Sequence, residues 1–364
     1  MKVTSLPISW AMAVLTGLGL IAVLALAGTE LSNDLSERRK LQDDTLLSNL
    51  SLSIGDLTHE LQKERGASAG FIASGGTAFV EQLPQQRALS DQKTEEFLSA
   101  VAALRNSVEI NPDLNVLLRE VRQQLSALED LRSGVDAQSV ALLAAVGQIT
   151  ALNQAAIALV PELGDIVSYP DAARAMQRHA IYMAAKDTMG LERATGSAAF
   201  AQARDNGGVI PEDTLARFGV LIDKQTTLLE VYQSLASPSL LLRIEDMLAS
   251  PDATNVANMR EIAFSANPEM ILTVQPSAWF DAITQKINLV KGIEDAGAAE
   301  VSSFLDEANQ QLNAEIVRLL LTLGTIAAVL VALSTALILV TSRWLRKTAD
   351  RISDLSDGDI ESPI

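Results

Sequence analysis

Two uncharged apolar runs bracket this 364-residue chain and constrain its fold more than any other feature. Neither Ile8 to Ala27 nor Leu319 to Val340 contains a charge. At about 1.5 Å per residue, each is long enough as a helix to cross a hydrocarbon core of about 30 Å. Both read as membrane spans. For the first, a cleaved signal peptide is the competing reading, because Lys2 precedes the run and Ala25–Leu26–Ala27 resembles a small-residue cleavage site. The run is, however, longer than the roughly 7–15 residues of a signal core. Arg343, Arg346, Lys347 and Arg351 follow the second run, so that end is expected in the cytoplasm, and Lys2 agrees. The expected order is a cytoplasmic N-terminus at 1–7, a span at 8–28, an extracytoplasmic domain at 29–315, a second span at 316–341 and a cytoplasmic tail at 342–364. The expected setting is a bacterial cytoplasmic membrane with the large domain on its periplasmic face.

The outer segment carries nearly all the acidity of a chain whose net charge is −17. With no segregated basic patch, such a chain repels nucleic acid, and no nucleic-acid partner is expected. There is no cysteine, which excludes disulfides, thiolate metal sites and cysteine nucleophiles. Only two histidines are present, without a Ser-His-Asp set, a metal-ligand spacing or a phosphate loop. An enzyme is therefore the least supported class, and neither metal nor cofactor is expected.

The composition is Ala- and Leu-rich with few aromatics, which favours helices, and the expected fold class is all-α. Nine prolines, at 84, 112, 161, 170, 211, 238, 251, 268 and 276, punctuate the outer segment, most of them beside Gly, Asn, Asp or Ser. Between them the apolar residues recur at steps of three and four. Leu50, Ile54, Leu57, Leu61, Ser68 and Phe71 form one such stripe. The pattern predicts helices near 30–73, 77–108, 113–134, 136–160, 171–204, 211–236, 239–264 and 277–315. Turns are expected at Ser74–Gly75–Gly76, Asn111–Pro112–Asp113 and Asp205–Asn206–Gly207–Gly208. The first and last helices are expected to run directly into the spans.

One element occurs twice. In ELQKERGASAGF (60–71) and GLERATGSAAF (190–200) a Glu-Arg pair is followed by small residues and then by Phe71 or Phe200. Small residues let another backbone approach, so the preceding arginine can be held in a cleft. Glu64 falls on the inward stripe with Arg65 beside it. In the second copy Met176, His179, Met183, Lys186, Gly190, Arg193, Ser197 and Phe200 share a face, which puts His179, Lys186 and Arg193 at seven-residue intervals. Guanidinium forks suit a small planar oxyanion, and two of them, Arg65 and Arg193, can bracket it. The competing reading is that these arginines pair with Glu64, Glu192 or a neighbouring helix and set bundle register. His179 alone reads as structural and His59 as solvated.

ELQKERGASAGFIAS resembles the signature of the NIT, or nitrate- and nitrite-sensing, domain. AAKDTMGLERATGSAAFA (184–201) and WFDAITQKINLVKGIE (279–294) resemble its second and third conserved stretches. The resemblance implies an extracytoplasmic sensor built as two up-and-down four-helix bundles that bind nitrate or nitrite near their interface. It also implies that Arg65 and Arg193 are the anion-binding residues, with Lys186, His179 and Lys286 as secondary candidates. Some family members place a second arginine beside the first; here Glu64 precedes Arg65 and Gly66 follows it. The tail SRWLRKTADRISDLSDGDIESPI resembles the first helix and connector of a HAMP signal relay, with Leu345, Ala349, Ile352 and Leu355 on one face and Gly358–Asp359–Ile360 after it. HAMP implies a homodimer and cytoplasmic signalling partners reached through an output domain outside this chain. Chemotaxis is the expected output, with a histidine kinase or a cyclase as alternatives. A partner-binding helical module without a small ligand is the other class considered.

Overall fold

Proline and a preceding Asn or Ser set four of the helix starts among the described residues. Asn111 Oδ1 accepts from the Leu114 amide at 2.7 Å ahead of Pro112; Ser237, Ser250 and Asn267 cap in the same way ahead of Pro238, Pro251 and Pro268. The computed structural model describes residues 8–356, and among them every regular element is helical. The helices are α1 (Ile8–Ala73), α2 (Gln82–Ser107), α3 (Pro112–Ser126), α4 (Leu128–Asp136), α5 (Leu142–Ile166) and α6 (Pro170–Asp205). They continue with α7 (Glu212–Leu235), α8 (Pro238–Leu248), α9 (Pro251–Phe264), α10 (Pro268–Thr273) and α11 (Pro276–Ser356). The protein is all-α.

The expected turns stand where the small residues placed them, with Gly75, Gly76, Gly207 and Gly208 all at positive φ. Several helix boundaries differ from expectation. The segment expected at 113–134 is two helices that meet at Ala127, and 239–264 is divided at Ser250–Pro251, where the serine caps a new helix. The expected 136–160 helix starts six residues later and passes through Pro161. Buried Ile157, Leu159, Val160 and Leu163 surround that proline, so packing offsets the loss of one backbone hydrogen bond. α6 starts at Pro170 without a side-chain cap of its own. Asp44 of α1 instead accepts from the Ser168 and Tyr169 amides at 2.8 and 2.9 Å.

The chain divides into two compact units, one of Leu41–Asp306 and one of the terminal segments up to Lys40 and from Glu307. In the larger unit α1 is bonded to α2, α4 and α5, and α6 to α7, α9 and α11. The stripe Leu50, Ile54, Leu57, Leu61 is fully buried, as its spacing requires. Around α6 the core gathers Tyr182, Phe200, Phe218, Tyr232 and Trp279. In the terminal unit the two apolar segments touch through Thr16 Oγ1, which donates to Ser334 Oγ at 2.6 Å. Large apolar side chains from Leu15 to Leu26 and from Leu320 to Val340 are exposed. α1, α5 and α11 are each long and apolar enough to cross a membrane, by length and composition. α5 differs from the other two in being half-buried within the larger unit, which marks it as a core helix.

Candidate functional site

The repeated element builds a reciprocal arrangement between α1 and α6. Arg65 lies over Gly190, where an added Cβ would stand 2.6 Å from Nη2; Arg193 lies over Gly66, where the distance would be 2.9 Å. Each arginine therefore occupies the space that a side chain would take on the opposite helix. The small residues of the element are needed at these two positions because guanidiniums fill them.

The glutamates of the two Glu-Arg pairs face away from this cleft, into the core beneath each motif. Arg132 on α4 binds Glu64 through Nε and Nη2 at 2.8 and 2.9 Å, and Arg260 on α9 binds Glu192 through the same atoms at 2.7 Å each. Both pairs span 68 residues, so the second half of the domain repeats the first. Gln225 donates to Glu192 at 2.7 Å and accepts from Arg260 at 2.9 Å, completing that network. Arg132 and Arg260 thus take those two glutamates, and of the competing reading only the pairing with a neighbouring helix is met, by Arg65 with Asp187 of α6.

The two cleft arginines are balanced unequally. Arg65 Nη1 meets Asp187 Oδ1 at 3.0 Å and donates to Thr150 Oγ1 at 2.9 Å, while Nη2 donates to the Asp187 carbonyl at 3.4 Å. Arg193 is only 9% exposed and donates through Nη1 to Thr284 Oγ1 at 3.2 Å, with its guanidinium 4.8 Å from the centre of the Phe280 ring. Among the described residues no carboxylate lies within ion-pair range of Arg193. Burial, and then the positive charge of Arg65, lower its pKa to about 10. Trp279 holds the backbone here by donating from Nε1 to the Arg193 carbonyl at 3.1 Å.

The other expected residues are placed elsewhere. Lys186 is fully buried against Glu294 of α11 at 2.7 Å. The ammoniums of Lys186 and Lys291 hold that carboxylate down to about 2, against its own burial. His179 sits beside the same pair, its Nδ1 buried without a hydrogen-bond partner in the protein, and burial lowers its pKa to about 4. His59 is not solvated: it is half-buried, and burial together with Lys186 and Lys291 lowers it to about 4. Lys286 lies beside the Arg260–Glu192 pair, and burial first, then Arg260, lowers it to about 8. The charges acting on it are therefore those of the core network and not those of the cleft. The basic face of α6 does exist, directed at α11, but only Arg193 of that face shares the cleft with Arg65.

Sequence reasoning missed Asp187, Thr150, Thr284, Phe280 and the specific role of Gly66 and Gly190. One signal was legible in hindsight: Asp187 stands three residues before Gly190 and shares its helical face. The threonines carry no such signal, since their contacts cross between helices.

Three comparisons bear on this arrangement. The family model described as nitrate and nitrite sensing matches residues 56–302. The nitrate regulatory protein of Klebsiella oxytoca is 26% identical over 260 residues, covering 71% of this chain and 63% of that protein. The chain thus spans less than two thirds of that relative's length. The solved structure of the NasR transcription antiterminator matches with a TM-score of 0.67 and 24% identity, covering 92% of this chain and 90% of that one, which shows a shared fold.

Proposed function

Since the chain belongs to the nitrate and nitrite sensing family, we propose that it is a membrane-anchored receptor that binds nitrate or nitrite between Arg65 and Arg193. The observation that carries this reading is Arg193: a buried guanidinium beside a second one, with no carboxylate in ion-pair range among the described residues. Left empty, such a pair costs desolvation and repulsion; one small oxyanion with planar forks on either side removes both. Lys186, His179 and Lys286 serve the core around the site.

The receptor part of the proposal rests on α1 and α11. α1 carries Arg65 and α11 carries Thr284 and Phe280, and each also contains one of the exposed apolar segments. With the larger domain read as two four-helix bundles on the periplasmic side, ligand contacts bias the packing of these helices, and that bias passes toward a cytoplasmic signalling partner through a HAMP-like segment in a homodimer. Gly358, Asp359 and Ile360 of that segment lie outside the described residues. The two similar proteins are named as a nitrate regulatory protein and a transcription antiterminator, and neither name carries the expected chemotaxis output, so the proposal is made for signalling in general. A net charge of −17 argues against direct contact with nucleic acid.

The test is thermal unfolding of the full-length chain in detergent against nitrate and nitrite. Ligand at a hundred times its Kd raises stability by about 2.7 kcal/mol. Arg65→Ala and Arg193→Met are expected to remove the shift. Because Arg193 is uncompensated, Arg193→Met leaves the ligand-free protein as stable as the parent or more so. A folded chain with no shift for either anion, or an Arg193→Met variant that unfolds without ligand while the parent never binds one, sinks the reading.

A further inference from the structure

The charges in the cleft do not cancel. Glu64 and Glu192 are engaged by Arg132 and Arg260, and Lys186 is matched by Glu294. Among the described residues, what remains at the cleft is Arg65, Arg193 and one carboxylate, Asp187, which is 3% exposed. Its Oδ1 accepts from Arg65 at 3.0 Å, from Gln62 Nε2 at 3.2 Å and from Asn153 Nδ2 at 3.4 Å. Gln62 and Asn153 are both buried, so the carboxylate is held in place by three donors from α1 and α5.

We propose that Asp187 is the residue that makes the site select univalent anions over divalent ones. Two guanidiniums and one fixed carboxylate leave a single positive charge, which one univalent oxyanion neutralises. A divalent anion leaves an excess negative charge among almost wholly buried side chains, and Asp187 repels it. The inference rests on the anion site proposed above and adds a charge criterion that the arginines alone do not supply: without Asp187 the pair would carry two positive charges and suit sulfate better than nitrate.

Titration calorimetry on the full-length chain in detergent, at fixed ionic strength, tests this with nitrate, nitrite, perchlorate and sulfate. Perchlorate and sulfate share a tetrahedral shape and differ in charge, so their ratio isolates charge from geometry. The parent is expected to bind perchlorate more tightly than sulfate by about tenfold or more, and Asp187→Asn to reverse or erase that ratio while keeping nitrate. Asp187→Asn preserves size and leaves an oxygen to accept from Arg65. A ratio unchanged in Asp187→Asn, or equal losses for every anion, overturns the proposal and leaves Asp187 as a support for Arg65. Should that variant not fold, the parent decides alone, since sulfate bound as tightly as perchlorate overturns it. A parent that binds neither nitrate nor nitrite, or binds them undiminished in Arg193→Met, overturns the site reading itself, an outcome distinct from nitrate binding with no charge preference.

Discussion

At the scale of single residues, the glycines of the two motifs matter for what they leave empty. An alanine at Gly190 places its Cβ where Arg65 Nη2 now lies, and the same holds for Gly66 and Arg193. The end of an arginine is flexible and can retreat, so Gly190→Ala is expected to fold with a stability within about 1 kcal/mol of the parent. The guanidinium that retreats is no longer in the cleft. Nitrate affinity measured by calorimetry should therefore fall by about tenfold or more, as expected when a charged hydrogen bond is misplaced. Loss of fold instead of loss of affinity would show that the glycine serves packing alone. Lys286 gives a second residue-level prediction. Its pKa is lowered to about 8, mainly by burial, and it has no carboxylate within ion-pair range among the described residues. The unfolded chain then holds this proton more tightly than the folded one between about pH 8 and the ordinary lysine value. Its cost to stability is complete below pH 8 and is relieved as pH rises. Lys286→Met is expected to raise the unfolding midpoint at pH 7, with the gain shrinking as pH approaches 10.

At the scale of elements, α6 is the organising helix. One side of it, through Asp187, holds α1; another, through Lys186, holds α11. Removing only one member of the Lys186–Glu294 pair strands a charge that is 1% exposed. Glu294→Gln is expected to cost about 3–5 kcal/mol in urea unfolding, whereas Lys186→Met combined with Glu294→Leu costs far less. Equal losses in the single and double variants would sink this view of the pair. Acid acts on the same contact. His179, lowered to about 4, must take up a proton on unfolding, and Glu294, lowered to about 2, loses its pairing when protonated. Both lower stability as pH falls: the histidine between about 6.5 and 4, the carboxylate below about 4.5. A unfolding midpoint that declines from pH 6.5 to 4, and declines less in His179→Gln, is the expected result.

At the scale of the molecule, the composition of α1 and α11 places the protein in a membrane on our proposal, while the equally apolar α5 stays inside the helical domain. After an alkaline carbonate wash the full-length chain is expected in the membrane pellet; its recovery in the soluble fraction would remove the receptor part of the proposal. The sequence by itself determined the all-α class, the two span-length runs, the glycine turns and the family, because these depend on local spacing and on composition summed over long windows. Arg65 and Arg193 were legible as a pair for the same reason, since their motif recurs as a string. The tertiary structure decided which charges meet. Glu64 and Glu192 look like the natural partners of the adjacent arginines, yet neighbours in sequence point to different sides of a helix, so Arg132 and Arg260 take them from 68 residues away. Asp187 became part of the cleft, and Lys186 and Lys286 became part of the core, for that same reason: a side chain's partner is set by helix packing across long separations, which local spacing does not encode.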